Sequence, residues 1–286
     1  MNIPSGVMSF IQQSLEEDIG SGDITTSLLV SETHNSTSLI IAKEDFVVAG
    51  LPFVKEVFNI LDSTVSFNVL VEDGSMAKKG SIIVEINGKT RTLLQAERTA
   101  LNLLQRLSGI ATMTRKFVTK VKGLKVEILD TRKTMPCMRY MEKYAVRMGG
   151  GKNHRFGLYD GILIKDNHIE AVDGIKNALA RVKQSRFLSR IEVEAENLKE
   201  FKDALGAGAD IIMLDNMSIK DIKEAVRLAK GKAILEVSGN VTLENVREIA
   251  ETGVDLISVG AITHSAPSVD ISMKIMGRRE EDIAMS

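Results

Sequence analysis

The feature that most constrains this fold is a strand–helix rhythm in the second half of the 286-residue chain. Runs rich in Ile, Val and Leu recur at Lys125–Asp130, Gly161–Ile164, Arg190–Glu194, Asp210–Leu214, Ala233–Val237 and Asp255–Val259. Helical patterns fill the gaps at Ile169–Val182, Leu198–Leu205, Ile219–Leu228 and Leu243–Glu251, and the last three strand-to-strand intervals are each about 21 residues. A strand that is apolar on both faces needs cover on both, so the alternation predicts a parallel sheet clothed in helices. No strand carries the glycine fingerprint of a dinucleotide fold, which disfavours an open sheet. The expected class is α/β: a TIM-like α/β barrel, complete or with fewer than eight strands.

The first hundred residues read differently. Short β-type runs at Ser38–Ala42, Phe46–Ala49, Val65–Val71 and Ser81–Asn87 are broken by turn signals at Gly50, Asp73-Gly74, Gly80 and Asn87-Gly88. The turns between Leu70 and Ile86 predict antiparallel pairing, and a helix at Leu51–Leu61 completes an N-terminal α+β sandwich domain. Met8, Ile11, Leu15 and Ile19 recur at helical spacing before it. The helical stretch Thr92–Val121, with Ala96, Ala100, Leu103, Leu104 and Leu107 on its apolar face, is expected to break into two helices at Ser108-Gly109. The expected domains are therefore 1–110 (α+β) and 111–269 (barrel), with a tail of about 270–286 packing back on the first.

Composition narrows the function. A net charge of −1, 4% aromatic residues and no Trp leave neither a basic footprint nor stacking platforms for nucleic acid. Cys137 is the only cysteine, so no intrachain disulfide can form and a reducing compartment is expected. No apolar run reaches the roughly 18–20 residues of a membrane span, and Met1–Asp18 lacks the pattern of a secretory signal. A cytoplasmic protein with a small-molecule substrate is the expectation.

Barrel chemistry sits at the carboxyl ends of the strands. Those ends carry Asp130-Thr131-Arg132-Lys133, Lys165-Asp166-Asn167, Glu194, Asp215-Asn216, Ser238-Gly239 and Gly260. From Asp130 to His168 there are eight Lys and Arg against four acids, a local +4 in a chain of −1. Such a segment is a local anion site. Arg139, Lys143 and Arg147 fall at i, i+4 and i+8 and read as a solvated helical stripe, fully for Lys143 and in part for the other two. Gly149-Gly150-Gly151-Lys152-Asn153-His154-Arg155 does not read as helix; its glycines would let the backbone approach a ligand, without the spacing of a P-loop. Arg supplies a bidentate fork and Lys a mobile point charge, so the mixture suits a ligand with more than one anionic group. Glu194 and Asp215 could hold Mg²⁺, act as bases or stabilise a developing cation; the plainer alternative is ion pairing to Arg132 or Lys165. Small residues at Ser238-Gly239 and Gly260 suit a phosphate.

With Glu17–Thr26, Glu97–Asn102, Asp130–Thr134, Gly149–Asp160, Leu163–His168 and Gly253–Gly260 in view, essentially the whole chain resembles quinolinate phosphoribosyltransferase. The family is also called nicotinate-nucleotide pyrophosphorylase (carboxylating). The resemblance implies transfer of phosphoribosyl from phosphoribosyl pyrophosphate to quinolinate, with Mg²⁺, giving nicotinate mononucleotide, pyrophosphate and CO₂ for NAD synthesis. It also implies that Arg132, His154, Arg155 and Lys165 grip the two carboxylates, with Thr131 nearby, and that Arg98 reaches in from the partner of a homodimer. Lys133 would face pyrophosphate, Glu194 and Asp215 the ribose and its Mg²⁺, and Ser238, Gly239 and Gly260 the 5′-phosphate. Two positions depart from the family pattern: Cys137, in Met135-Pro136-Cys137 where Thr-Pro-Gly is usual, and Asn240, where glycine is common. Cys137 reads as a passive loop residue. The rival readings are a Schiff-base aldolase with Lys165 as nucleophile, the molybdenum-transport-associated relative of the family, and a non-catalytic phosphometabolite binder. The intact Lys165-Asp166-Asn167-His168 run argues against the second.

Overall fold

The structure is a computed structural model and describes residues 2–185 and 189–276. These form two compact units, one of residues 2–113, 135–150 and 266–276 and one of 114–134 and 151–265. In chain order the first elements are α1 (Ser5–Ile19), α2 (Ile24–Leu29), β1 (Asn35–Ala42), β2 (Phe46–Val47), α3 (Leu51–Leu61), β3 (Ser66–Val69), β4 (Met76–Ala77), β5 (Ile82–Lys89) and α4 (Thr90–Lys120). Then come β6 (Glu127–Leu129), α5 (Arg139–Met148), β7 (Ile162–Ile164), α6 (Asp166–Glu170), α7 (Ile175–Gln184), β8 (Ile191–Ala195) and α8 (Leu198–Gly206). The series ends with β9 (Ile211–Asp215), α9 (Ile219–Ala229), β10 (Ile234–Ser238), α10 (Val246–Ala250), β11 (Leu256–Ser258), α11 (Ala261–His264) and β12 (Ile271–Ile275).

The first unit is built on an antiparallel sheet of order β12-β1-β5-β3, with a small β2-β4 ladder beside it in the fold. Val7, Ile11 and Leu15, spaced by four, are the buried stripe of α1, which packs against α3. Helix α5 belongs to this unit because its aromatic residues do: Tyr144 meets Phe53 edge-to-face at 5.3 Å, and its hydroxyl donates to Asp73 at 2.7 Å. The expected division at residue 110 had left α5 with the barrel; the observed one falls inside α4 and returns 135–150 to the first unit. Of the tail expected to pack back, residues 271–275 pair with 38–42 of β1 as β12, and 277–286 lie outside the described residues.

Helix α4 is continuous over 31 residues, so the expected break at Ser108-Gly109 does not occur. Gly109 serves another purpose. A Cβ there would run into the carbonyl oxygen of Pro267, so glycine is what allows that segment to lie against the helix. A second expectation also fails: Lys143 is not on a solvated face but 2% exposed, among the largest fully buried side chains. Six consecutive residues of α5, 141–146, are buried, beyond what a one-sided stripe requires.

The second unit is a parallel sheet of order β6-β11-β10-β9-β8-β7. Pairing the first strand with the last curls the sheet round. Among the described residues the edge strands β6 and β7 share no ladder, so the barrel has six strands and an open seam. Each expected strand is present within two residues, because each is a covered apolar run. Helix starts are capped by side chains: Asn197 accepts from Lys199 and Glu200 N–H, and Ser218 accepts from Asp221 N–H. The expected helix at Ile169–Val182 is two, α6 and α7, because Gly174 takes φ 112° between them. No described helix is long and apolar enough to cross a membrane.

Candidate active site

Side chains alternate across a strand, so Glu192 and Glu194 of β8, Met213 and Asp215 of β9, and Glu236 and Ser238 of β10 share the barrel interior. At the carboxyl ends these strands surround a cavity of about 590 Å³. Ten expected residues line it: Thr131, Arg132, Lys133, His154, Arg155, Lys165, Glu194, Asp215, Ser238 and Gly239. Leu163, Met213, Asn216 and Ser258 line it as well with no signal beyond their place near strand ends, as does Asn240, singled out only as a departure from the family pattern. Gly260 is behind the wall; a Cβ there would lie 3.2 Å from Lys133 Cδ, so its smallness makes room for that lysine. Arg98 is exposed on α4 in the other unit, on a cavity of about 430 Å³ that also holds Glu17 and Asp18.

The cations are aimed by the backbone beneath them. Thr131 Oγ1 accepts the Lys133 N–H at 3.0 Å, and Thr263 Oγ1 donates to the Lys133 carbonyl at 2.8 Å, which shapes the turn after β6. Asp130, with no exposed surface, accepts from Asn153 Nδ2 at 2.6 Å and from the His154 N–H at 2.8 Å. Lys152 N–H donates to Ile128 O at 2.8 Å and its carbonyl accepts from Asp130 N–H, so residues 151–155 run alongside β6. This corrects the reading of the triple glycine. Gly149, Gly150 and Gly151 do not line the cavity; only Gly150 has positive φ, at 92°, and the run turns the chain from α5 into this extended segment. His154 and Arg155 thereby enter the barrel.

Charges inside the cavity are only partly compensated. Lys165 Nζ pairs with Glu194 at 3.0 Å, the plainest of the roles considered for that carboxylate. Asp215 accepts from Asn216 Nδ2 at 2.9 Å, and Asn216 in turn accepts from Asn240 Nδ2 at 2.9 Å. Arg155 donates to the Gly161 carbonyl at 3.0 Å while its Nε is buried without a partner. Burial, and then the neighbouring Arg132 charge, pull its guanidinium below the ordinary value, with Glu192 and Asp160 opposing. Both departures from the family pattern adopt left-handed backbone, Cys137 at φ 63° and Asn240 at φ 50°, a region glycine enters without strain. At Gly239 a Cβ would strike the Asn216 side chain, and φ is 89°.

Below this layer lies a cluster that sequence reasoning missed. His154 Nε2 is 3.0 Å from Glu192 and 3.8 Å from Glu236, and these carboxylates are 5% and 1% exposed. Burial, then the Glu192 charge, push Glu236 up to about 7. Two acids inside apolar-looking strands, at alternating positions, were the available signal.

Models of the quinolinate phosphoribosyl transferase N-terminal and C-terminal domains match residues 23–108 and 110–274. The chain belongs to the quinolinate phosphoribosyltransferase family. It is 45% identical over 260 residues to a probable nicotinate-nucleotide pyrophosphorylase [carboxylating] of Bacillus subtilis, covering 91% of this chain and 90% of that one. A protein of the same description from Methanocaldococcus jannaschii is 44% identical, with 94% and 97% covered. The structure of the nicotinate-nucleotide pyrophosphorylase from Francisella tularensis superposes with a TM-score of 0.92 at 44% identity, over 96% of this chain and 98% of that one. The family's two-domain architecture is thus the architecture seen here.

Proposed function

We propose that the protein transfers phosphoribosyl from phosphoribosyl pyrophosphate to quinolinate and releases CO₂, giving nicotinate mononucleotide and pyrophosphate. Its place would be de novo NAD biosynthesis in the cytoplasm. One observation carries this reading: Arg132, Arg155 and Lys165 converge on the cavity that Glu194, Asp215 and the small residues Ser238-Gly239 close from the other strands. Quinolinate is a planar dianion, and guanidinium forks bind carboxylates in two places at once. Lys133 lines the cavity and is exposed, and would meet the departing pyrophosphate.

Glu194 and Asp215 fit Mg²⁺: two carboxylates on adjacent strands are a hard oxygen donor set, too few alone for a full shell, as expected when substrate phosphates supply the rest. The ion would supply neutralisation of pyrophosphate charge. As pyrophosphate leaves, the ribose becomes oxocarbenium-like, and the same carboxylates would stabilise the positive charge that develops. Nitrogen alkylation leaves the pyridine ring cationic, which stabilises the electron pair left on the ring when CO₂ departs, so transfer precedes decarboxylation. Ser238 and Gly239 would receive the 5′-phosphate. By family resemblance Arg98 completes the site of the partner subunit in a homodimer.

The pairing of Lys165 with Glu194 and the cations around it leave little basis for a Schiff-base aldolase. The decisive assay incubates the protein with quinolinate, phosphoribosyl pyrophosphate and Mg²⁺ and follows nicotinate mononucleotide and CO₂. Turnover of nicotinate without turnover of quinolinate would sink the substrate assignment.

A further inference from the structure

The buried cluster under the site has a proton inventory that restricts what it does. The Arg155 backbone N–H donates to His154 Nδ1 at 2.8 Å, so that nitrogen holds a lone pair and carries no proton. The ring proton must then be on Nε2, which faces Glu192 Oε2 at 3.0 Å. A protonated Nε2 has no lone pair for a metal, so His154, Glu192 and Glu236 are not a cation site in this arrangement, although their ligand atoms lie within 4.8 Å of one another. Both histidine nitrogens are committed within the barrel wall.

We infer that Glu192 is a positioning residue: it holds the His154 ring by accepting its Nε2–H, and the ring holds the backbone of Arg155 and with it the guanidinium that meets quinolinate. Three observations converge on this. Glu192 is the near carboxylate, with Glu236 farther away at 3.8 Å. The His154 side chain is only 11% exposed, so water cannot easily replace the glutamate as acceptor. The same short segment is clamped from its other side by Asp130, which accepts the His154 N–H at 2.8 Å. A ligand-bearing residue held this way resembles a metal-bound histidine whose second nitrogen is fixed by a carboxylate, except that the cargo here is an arginine backbone.

The inference rests on Arg155 contacting quinolinate, and its test has an arm that does not. Long-range ¹H–¹⁵N correlation of the full-length protein without substrate should show His154 as the Nε2–H tautomer, with Nδ1 unprotonated. An Nδ1–H tautomer would overturn the inference even in a protein that turned out to be inactive on quinolinate. In the kinetic arm, Glu192→Leu removes the acceptor and should raise the quinolinate KM about tenfold or more while the phosphoribosyl pyrophosphate KM stays within about twofold. Glu192→Gln keeps an acceptor oxygen and should hold the quinolinate KM within about threefold of the parent. An unchanged quinolinate KM in Glu192→Leu, or equal rises in both KM values, refutes the role. Should Glu192→Leu not fold, a rise of about tenfold in Glu192→Gln refutes it as well.

Discussion

At the scale of single residues, Arg132 is the side chain whose loss should be read most directly. It lines the cavity beyond the end of β6, and its removal deletes one guanidinium from that cavity without touching a strand core. Arg132→Ala is therefore expected to raise the quinolinate KM by roughly 10- to 100-fold, the worth of charge-assisted hydrogen bonds, with an unaltered melting temperature. Steady-state kinetics and calorimetry on the same preparation check both parts; an unchanged quinolinate KM would remove Arg132 from the site. Lys143 shows why charge alone misleads at this scale. Its spacing on α5 matched a solvated stripe, yet it is 2% exposed, because the rest of its unit covers that helix on several sides. Arg132 and Lys165 were legible because strand ends in a barrel face a common mouth wherever the intervening loops go.

Two elements carry predictions that local propensity does not give. Gly109 lies inside α4, where alanine would ordinarily add roughly 1 kcal/mol of stability. Here a Cβ meets the Pro267 carbonyl, so Gly109→Ala is expected to cost about 1–3 kcal/mol, read as a lower urea midpoint. A gain in midpoint would show that the contact yields freely. On β10, Glu236 titrates at about 7 in the fold against an ordinary 4.5. Between those values the folded protein keeps a proton that the unfolded chain has lost, so stability falls as pH rises through that window and levels off above it. Glu236→Gln cannot ionise and should escape the loss. Relative to the parent it should gain up to about 3 kcal/mol on going from about pH 5 to about pH 8 in denaturant titrations. Equal stability offsets at the two pH values would show that Glu236 is ionised throughout.

For the whole molecule the open question is assembly, since Arg98 belongs to one unit and the cationic cavity to the other. If sites are shared across a two-fold dimer, Arg98→Ala and Arg132→Ala each turn over little at quinolinate well below their raised KM, but subunits mixed and re-associated give hybrids with one intact site. About a quarter of the parent activity should return, as one site in each hybrid and half the dimers hybrid. Recovery absent from a mixture that sedimentation shows to have exchanged subunits would place Arg98 outside the site. The six strands, the Ile11 and Leu15 part of the N-terminal helix stripe and the starts of α8 and α9 could be read from the chain because each follows from local periodicity. The extent of α4, the membership of α5 and the use of the triple glycine could not, because each depends on what a remote segment, such as Pro267 or Phe53, places against it.

The cationic segment from Asp130 to His168 illustrates the division most sharply. Sequence by itself determined its sign, its place at the strand ends and its suitability for a dianion, since charge and periodicity are local properties. Tertiary structure alone decided which charges reach the cavity, sending Lys143 into a core and Lys165 to Glu194. It also set His154 against two carboxylates that lie 38 and 82 positions further along the chain. Residues so far apart meet only because parallel strands bring every second side chain of several βα units to one axis, and no window along the chain records that distance.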